Sequence, residues 1–145
     1  MSMLIGRAVM AAWGVLAVAE SLRAQAVPPV EATSQDLVAT FRTNAALADE
    51  TYTDKRVAVT GQMSRITGTR VEDGTIYLFE MSCGPANAKY VATFRFNDDD
   101  RRQLARIKVG ERVTIEGLCK GMAPVDEDGR QAVFFWECKL EKAGR

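Results

Sequence analysis

The feature that most constrains the fold is a set of short segments in which apolar and polar residues alternate. Each segment has seven to twelve residues. Because successive side chains of a strand point to opposite faces, this period-two pattern predicts strands with one buried face. The predicted strands are residues 55–66, 75–81, 90–96, 112–119 and 132–140.

Two other segments have the features of helices. After Ser34, which is predicted as the cap, apolar residues recur at roughly helical spacing. These residues are Leu37, Val38, Phe41, Ala45 and Leu47. Residues 97–107 begin with a run of acids, whose charge suits a helix N-terminus, and are predicted to form a short helix.

The order of these elements predicts a fold that is mainly β with helices. Five short antiparallel strands, with a helix between the third and the fourth, are typical of a five-stranded OB-fold barrel. The N-terminal helix is expected to pack on this barrel. Gly61, inside the first strand, predicts a bulge or sharp bend. In an OB fold the last strand lies between the third and fourth, so the last two strands are expected to be neighbours.

The N-terminus has the features of a secretory signal peptide. Arg7 precedes an unbroken apolar segment, residues 8–19, which is short for a bilayer span, and Ala24-Gln25-Ala26 fits a signal peptidase site. The sequence therefore predicts a signal peptide over residues 1–26, a flexible leader over 27–33 and an OB-fold domain over 34–142. The expected location is the periplasm, without stable membrane insertion after cleavage; an uncleaved anchor is the alternative.

The charge balance argues against a protein that binds polyanions with its whole surface. The chain has 19 basic and 19 acidic residues. The predicted signal peptide holds Arg7, Arg23 and Glu20, so its removal changes the formal net charge from 0 to about −1. Nucleic-acid binders usually have a basic excess or a basic face. Nucleic acid is therefore not the expected partner, although a local basic patch is compatible with this balance.

Three cysteines in an exported chain predict one disulfide and one free thiol. Strand alternation places Cys119 in phase with Val113 and Ile115, and Cys138 in phase with Phe134 and Trp136. If both sets face inward on neighbouring strands, Cys119 and Cys138 can form a disulfide. Zinc is the rival interpretation, but the chain has no histidine to complete a typical site. Cys83 is then the free thiol.

The residues available for catalysis are few. The absence of histidine excludes Ser-His and Cys-His nucleophiles. Cys83-Gly-Pro begins like a thioredoxin motif, but Ala86 occupies the position of the second thiol. The acidic runs at 98–100 and 126–129 lack the ligand spacing of a calcium loop. The sequence thus predicts no enzymatic activity, no cofactor and no metal site.

The residues expected to contact a ligand lie on the outward phase of the predicted strands. They are Thr93, Arg95 and Phe135, and OB folds commonly bind ligands over this part of the sheet. Most other aromatic residues are expected in the core. Phe135 has two interpretations: it packs under the N-terminal helix, or it belongs to an exposed ligand patch.

Three segments resemble the tRNA_anti-like family of small exported bacterial OB-fold proteins. They are Val57-Ala-Val-Thr-Gly-Gln-Met63, Val109-Gly-Glu-Arg-Val-Thr-Ile-Glu-Gly-Leu-Cys-Lys-Gly121 and Phe134-Phe-Trp-Glu-Cys-Lys-Leu140. The resemblance covers roughly Ser34 to Leu140 and implies an OB fold, but no catalytic residues. The favoured hypothesis is an exported, non-enzymatic module that binds a protein, peptide or small molecule. The alternative is an OB domain for single-stranded nucleic acid or oligosaccharide.

Overall fold

A computed structural model describes residues 27–84 and 89–143 of the chain. The predicted signal peptide and the end of the Cys83-Gly-Pro-Ala segment lie outside these residues. The strands are β1 (Val30–Thr33), β2 (Arg56–Val71), β3 (Gly74–Ser82), β4 (Tyr90–Phe96), β5 (Arg112–Met122) and β6 (Gln131–Ala143). The helices are α1 (Ser34–Thr43), α2 (Ala45–Thr51) and α3 (Arg101–Leu104), with a 3-10 turn at Asp98–Asp100 before α3.

The five predicted strands are all present and form a ring. The sheet has the order β1-β2-β3-β4-β6-β5, and an additional β2–β5 pairing closes it. The last strand lies between the third and fourth predicted strands, as expected for the OB topology. The pairing is not antiparallel throughout, because β4 and β6 are parallel. An odd number of strands cannot alternate in direction all the way around a closed ring, so at least one neighbouring pair must be parallel.

The predicted leader is partly ordered. Residues 30–33 form β1, which pairs in parallel with β2 from Val57 to Thr60. The prediction of a flexible leader over residues 27–33 is therefore wrong for residues 30–33. The edge of β2 along Val57–Thr60 lies beyond the end of β3, whose pairing with β2 begins at Gln62. β1 occupies this edge and provides hydrogen-bond partners for backbone groups that would otherwise be left unpaired.

The N-terminal helix is broken and capped differently from the prediction. Thr33, not Ser34, caps α1, because its hydroxyl accepts a hydrogen bond from Asp36 N at 3.1 Å. Asn44 ends α1 and caps α2 by accepting from Leu47 N at 3.1 Å. The inner face of α1, with Leu37, Val38 and Phe41, is buried. Leu47, predicted on the apolar face, is 51% exposed.

Gly61 has a different function from the predicted bulge. The irregularity in β2 lies between Met63 and Arg65, where the register with β3 shifts. Ser34 is buried and donates to Ser82 O at 2.7 Å. A Cβ at position 61 would lie 2.5 Å from Ser34 Oγ. The glycine therefore allows α1 to pack closely on β2.

Aromatic side chains fill the interior of the ring. Phe79 contacts Phe94 edge to face with ring centroids 6.2 Å apart, and Phe94 stacks on Phe135 at 4.6 Å. All three are fully buried and belong to one core with the inner residues of α1. Burial of such side chains is the largest favourable contribution to folding.

The direction of the side chains on β6 differs from the prediction. Val133 and Phe135 are buried and Trp136 is exposed, so the predicted phase is reversed for the first half of the strand. Glu137 has a φ of 51°, and the register with β5 shifts between Glu116 and Leu118. This bulge changes the phase, and Cys138 and Leu140 then pack against the core.

Candidate binding site

The three residues predicted to contact a ligand do not form one exposed patch. Phe135 is 0% exposed and Thr93 is 3% exposed. Phe135 packs in the core against Phe94, so the exposed-patch interpretation is wrong. Thr93 does face outward, but its neighbours Glu80 and Phe134 lie on either side of it in the sheet. Arg95 is exposed and remains accessible to a ligand.

Arg95 instead pairs with Trp136, the next residue after Phe135. The Arg95 guanidinium carbon lies 5.1 Å from the centroid of the Trp136 ring. This is a cation–π contact. Trp136 is 48% exposed, although it lies in the middle of β6.

These two residues belong to a continuous surface across three strands. We define the outer face as the outward side chains of β3, β4 and β6. Its members are Leu78, Glu80, Thr93, Arg95, Phe134 and Trp136. Leu78 is the register partner of Arg95, and Leu118 of β5 is that of Trp136. The half-buried apolar side chains beside an exposed indole give this surface both apolar area and a flat stacking group.

At one side of the outer face, a single carboxylate holds two arginines. Glu80 Oε2 accepts from Arg65 Nε at 2.7 Å, and Oε1 accepts from Arg65 Nη2 at 3.2 Å and from Arg130 Nη2 at 2.6 Å. Glu80 is 9% exposed. Hydrogen bonding to Glu80, together with its charge, raises the pKa of Arg65 above its ordinary value. We refer to Arg65, Glu80 and Arg130 as the arginine cluster.

The turn between β5 and β6 positions Arg130. Asp126 Oδ1 accepts from Asp128 N at 3.0 Å and from Arg130 N at 2.8 Å. Asp126 N also donates to Arg130 O at 2.8 Å. The acidic run at 126–129 therefore has a structural function: it closes a tight turn that directs Arg130 toward β3. Bonds of this kind are the usual reason that Asp occurs in turns.

Another basic side chain near the outer face, that of Arg56, is also paired. Arg56 contacts the carboxylates of Glu116 at 3.4 Å and Glu137 at 3.8 Å. Among residues 27–84 and 89–143, Arg95 has no carboxylate within 4.0 Å, and its guanidinium lies on Trp136. Of the four arginines around this face, Arg56, Arg65 and Arg130 thus contact a carboxylate of the same chain and Arg95 does not.

The predicted disulfide between Cys119 and Cys138 is not present, because all three cysteines are free thiols. The register explains this: Cys119 lies opposite Phe135, whereas Cys138 lies beside Gly117, two residues before Cys119 on β5. The two cysteines are therefore separated by roughly 6.6 Å along the strands as well as by the distance between the strands. That separation exceeds the Cα distance a disulfide usually spans.

Burial makes the thiols poor nucleophiles. It raises the pKa of Cys83 to about 12, of Cys119 to about 11 and of Cys138 to about 12. A thiol reacts as the thiolate, so these cysteines react slowly near neutral pH.

Among residues 27–84 and 89–143, no group of three or more His, Cys, Asp or Glu side chains is placed to hold a metal ion. None of the described helices is long and apolar enough to cross a membrane.

Comparison with known proteins supports the resemblance seen in the sequence. The profile of the tRNA_anti-like family matches residues 2–130. The chain belongs to the tRNA_anti-like family. No curated protein matches it. Among solved structures, a "putative nucleic acid-binding lipoprotein" from Klebsiella pneumoniae subsp. pneumoniae MGH 78578 is similar, with a TM-score of 0.56 and 17% identity. The match covers 85% of this chain and 97% of the other. At this identity the similarity concerns the fold.

In this tRNA_anti-like protein, sequence reasoning identified Arg95 but not the groups around it. Trp136 was expected in the core because both phases of β6 are apolar between Ala132 and Trp136. The arginine cluster joins residues 15 and 50 positions apart, and no local pattern connects them. One signal was available: Arg65 and Glu80 both fall in strands that the OB order makes neighbours.

Proposed function

We propose that the protein is an exported, non-enzymatic binding module, and that its outer face holds an apolar or aromatic part of a protein, peptide or small molecule. The observation that carries this proposal is the half-exposed Trp136 under the guanidinium of Arg95. Exposed indoles supported by arginine are common anchors in binding surfaces.

The charges around the outer face favour a ligand that is not a polyanion. Arg65, Arg130 and Arg56 each contact a carboxylate of the same chain. A nucleic-acid track needs several basic groups that are free to neutralise successive phosphates. The near-neutral chain supports the same conclusion.

Two observations support a function without catalysis. The sequence contains no histidine. The three thiols are held in their protonated form near neutral pH by burial. The proposed location, outside the cytoplasm, rests on the features of residues 1–26 and is testable by detecting a processed chain that begins at Val27.

Trp136 allows the proposal to be tested directly. The chain has two tryptophans, Trp13 and Trp136, so Trp13→Phe leaves Trp136 as the sole indole in the chain. A pull-down from an extracytoplasmic extract supplies candidate ligands, and each is then titrated against the emission of Trp136. We expect saturable changes in emission, and loss of capture with Trp136→Ala.

Leu47→Ala is the matched control for the pull-down. Leu47 is 51% exposed, close to the 48% of Trp136, but it lies on α2 and not on the outer face. This variant should capture the same ligands as the unmodified protein. Equal capture by Trp136→Ala and the unmodified protein would reject the outer face as the binding surface.

Single-stranded nucleic acid is the second candidate function. An exposed tryptophan beside an arginine is a stacking platform for bases, and a structural neighbour carries a nucleic acid-binding name. Anisotropy titrations with single-stranded DNA and RNA at low and physiological salt separate the two candidates. Micromolar or tighter binding that weakens steeply with salt, and is lost in Arg95→Ala, would favour nucleic acid.

A further inference from the structure

We propose that the arginine cluster is a binding site for one oxyanion, a carboxylate or a phosphate, carried by the ligand of the outer face. This inference rests on the proposed function, because it describes the chemistry of the same ligand. The ligand would then have a single anionic group beside an apolar or aromatic group.

The two arginines of the cluster have a surplus of hydrogen-bond donors. Each arginine has five N–H donors. Glu80 accepts two hydrogen bonds from Arg65 and one from Arg130. Both guanidinium groups donate to the same oxygen, Oε1, so they lie side by side. Adjacent guanidinium groups with unused donors can bind one oxyanion between them, and such charge-assisted bonds are short and strong.

The charge of the cluster also favours an anion. The cluster contains two positive groups and one negative group, so it carries a formal charge of +1. It lines a cavity of about 360 Å³ together with Ser64, Ser82, Cys83, Tyr90 and Val91. Asp128, in the β5–β6 turn, lies near enough to contribute to the raised pKa of Arg65, and its negative charge reduces the positive potential of the cluster. One monoanion would neutralise the formal charge of the cluster.

The site is already formed in the absence of a ligand. Glu80 is almost fully buried, and its carboxylate holds both guanidinium groups in place through ion pairs. The Asp126 turn fixes the backbone of Arg130. Because these positions are set before a ligand arrives, little conformational entropy is lost on binding. Glu80 is thus a positioning residue and does not itself contact the anion.

The position of the cluster defines the ligand further. Glu80, Thr93 and Phe134 are aligned across β3, β4 and β6, and Leu78, Arg95 and Trp136 form the next row on the same face. Neighbouring rows on one face of a sheet are two residues apart along the strands, a distance of about 7 Å. A ligand that reaches both rows therefore needs its anion within about 7–10 Å of its aromatic or apolar group.

NMR titration of the full-length protein with sodium phosphate and, separately, sodium acetate tests this site. Ionic strength is held constant with sodium chloride, and the probes are the Nε–Hε signals of Arg65 and Arg130 and the amide of Gln131. We expect saturable shifts of these signals. In Arg130→Ala the affinity should fall about tenfold, the change expected on loss of one charge-assisted hydrogen bond. Tighter binding of phosphate than of acetate would identify a phosphate ligand, and tighter binding of acetate would identify a carboxylate.

Two further variants keep the test decisive. Arg106→Ala removes the same charge from an exposed position outside the cluster and should bind the anions as the unmodified protein does. Asp128→Asn should strengthen binding about twofold, because it removes a nearby negative charge. Shifts that do not saturate, or an Arg130→Ala protein that binds as tightly as Arg106→Ala, would overturn the proposal.

The result is independent of the test of the proposed function. The titration uses small anions alone and does not require a ligand for Trp136. Failure of anion binding with intact capture by the outer face would reject this inference only. Anion binding without any effect of Trp136→Ala on ligand capture would reject the proposed function instead.

Discussion

Two pairs of side chains, one residue apart on β4 and β6, differ in almost every property. Phe94 and Phe135 face the interior, are fully buried and stack with ring centroids 4.6 Å apart. Arg95 and Trp136 face outward and contact each other at 5.1 Å, with Trp136 half exposed. The same two strands therefore present an apolar stack to the core and a cation–π pair to the solvent.

The difference indicates which pair stabilises the fold and which is available to a ligand. A fully buried aromatic pair contributes its whole transfer free energy and cannot contact a partner. The outer pair loses little water on folding, so much of its apolar area remains to be buried by a ligand. The predictions below test this division between the inner pair and the outer face.

Phe135→Ala should have the largest effect on stability. Loss of a fully buried phenylalanine leaves a cavity next to Phe94 and should reduce the free energy of unfolding by about 3–5 kcal/mol. Urea unfolding followed by far-UV circular dichroism measures this change. Phe135→Leu, which keeps most of the volume, is the control and should lose less. A reduction below about 1 kcal/mol in Phe135→Ala would contradict the burial of this residue.

Glu80→Ala should have an intermediate effect. The substitution removes the acceptor of three charge-assisted hydrogen bonds. Because both arginines are partly open to solvent and can rehydrate, we expect a loss of about 1–3 kcal/mol and not the larger cost of a fully buried pair. The same unfolding experiment applies, with Glu116→Ala as the control, because the Arg56–Glu116 ion pair is longer, at 3.4 Å. A loss no larger than that of the control would show that the cluster contributes little to stability.

These two positions also show how far the sequence could be interpreted. Glu80 and Phe94 lie in two of the strands that the sequence predicted, and the strand order, the ring and the helix between β4 and β5 also followed from sequence patterns. Phe135 lies in a segment where five consecutive residues are apolar or aromatic. Alternation cannot select the inner face of a strand that is apolar on both faces. The predicted positions of Phe135 and Trp136 were therefore exchanged.

Two other differences arise from backbone geometry. The positive φ of Glu137 shifts the phase of β6 before Cys138, and a period-two count cannot anticipate this shift. The disulfide prediction placed both cysteines on the inward phase, but phase does not fix the register between two strands, and the register places Cys119 opposite Phe135 and not opposite Cys138. The arginine cluster depends on the turn at 126–130, whose direction follows from hydrogen bonds of Asp126 and not from composition.

The thiols on the inner side should make stability depend on pH. Burial raises the thiol pKa values in the folded state to about 11–12 from an ordinary value of 9.0. The folded state therefore holds these protons more tightly than the unfolded state. The associated stability is complete below about pH 9 and is lost progressively as the pH rises through 11–12. Urea midpoints at several pH values from neutral to about pH 10 should decrease at the alkaline end.

Thiol counting with Ellman's reagent separates this account from a disulfide. At pH 8 the native protein should react slowly, because the thiolate is scarce and the sulfur atoms are buried. In denaturant without reductant, three thiols should react if all are free, and one if Cys119 and Cys138 are joined. The variant Cys83→Ser sharpens the result, since it should leave two reactive thiols in the first case and none in the second.

Trp136→Ala should have the smallest effect on stability and the largest on binding. Half of the side chain is already in water, and a cation–π contact at an exposed site contributes about 0.5–1 kcal/mol. We expect the free energy of unfolding to fall by about 1 kcal/mol or less. A double-mutant cycle with Arg95→Ala isolates the contact, and its coupling energy should lie in the same range. If Trp136→Ala instead destabilised the protein as strongly as Phe135→Ala, the indole would be part of the core. The division between an inner pair for stability and an outer pair for binding would then be wrong.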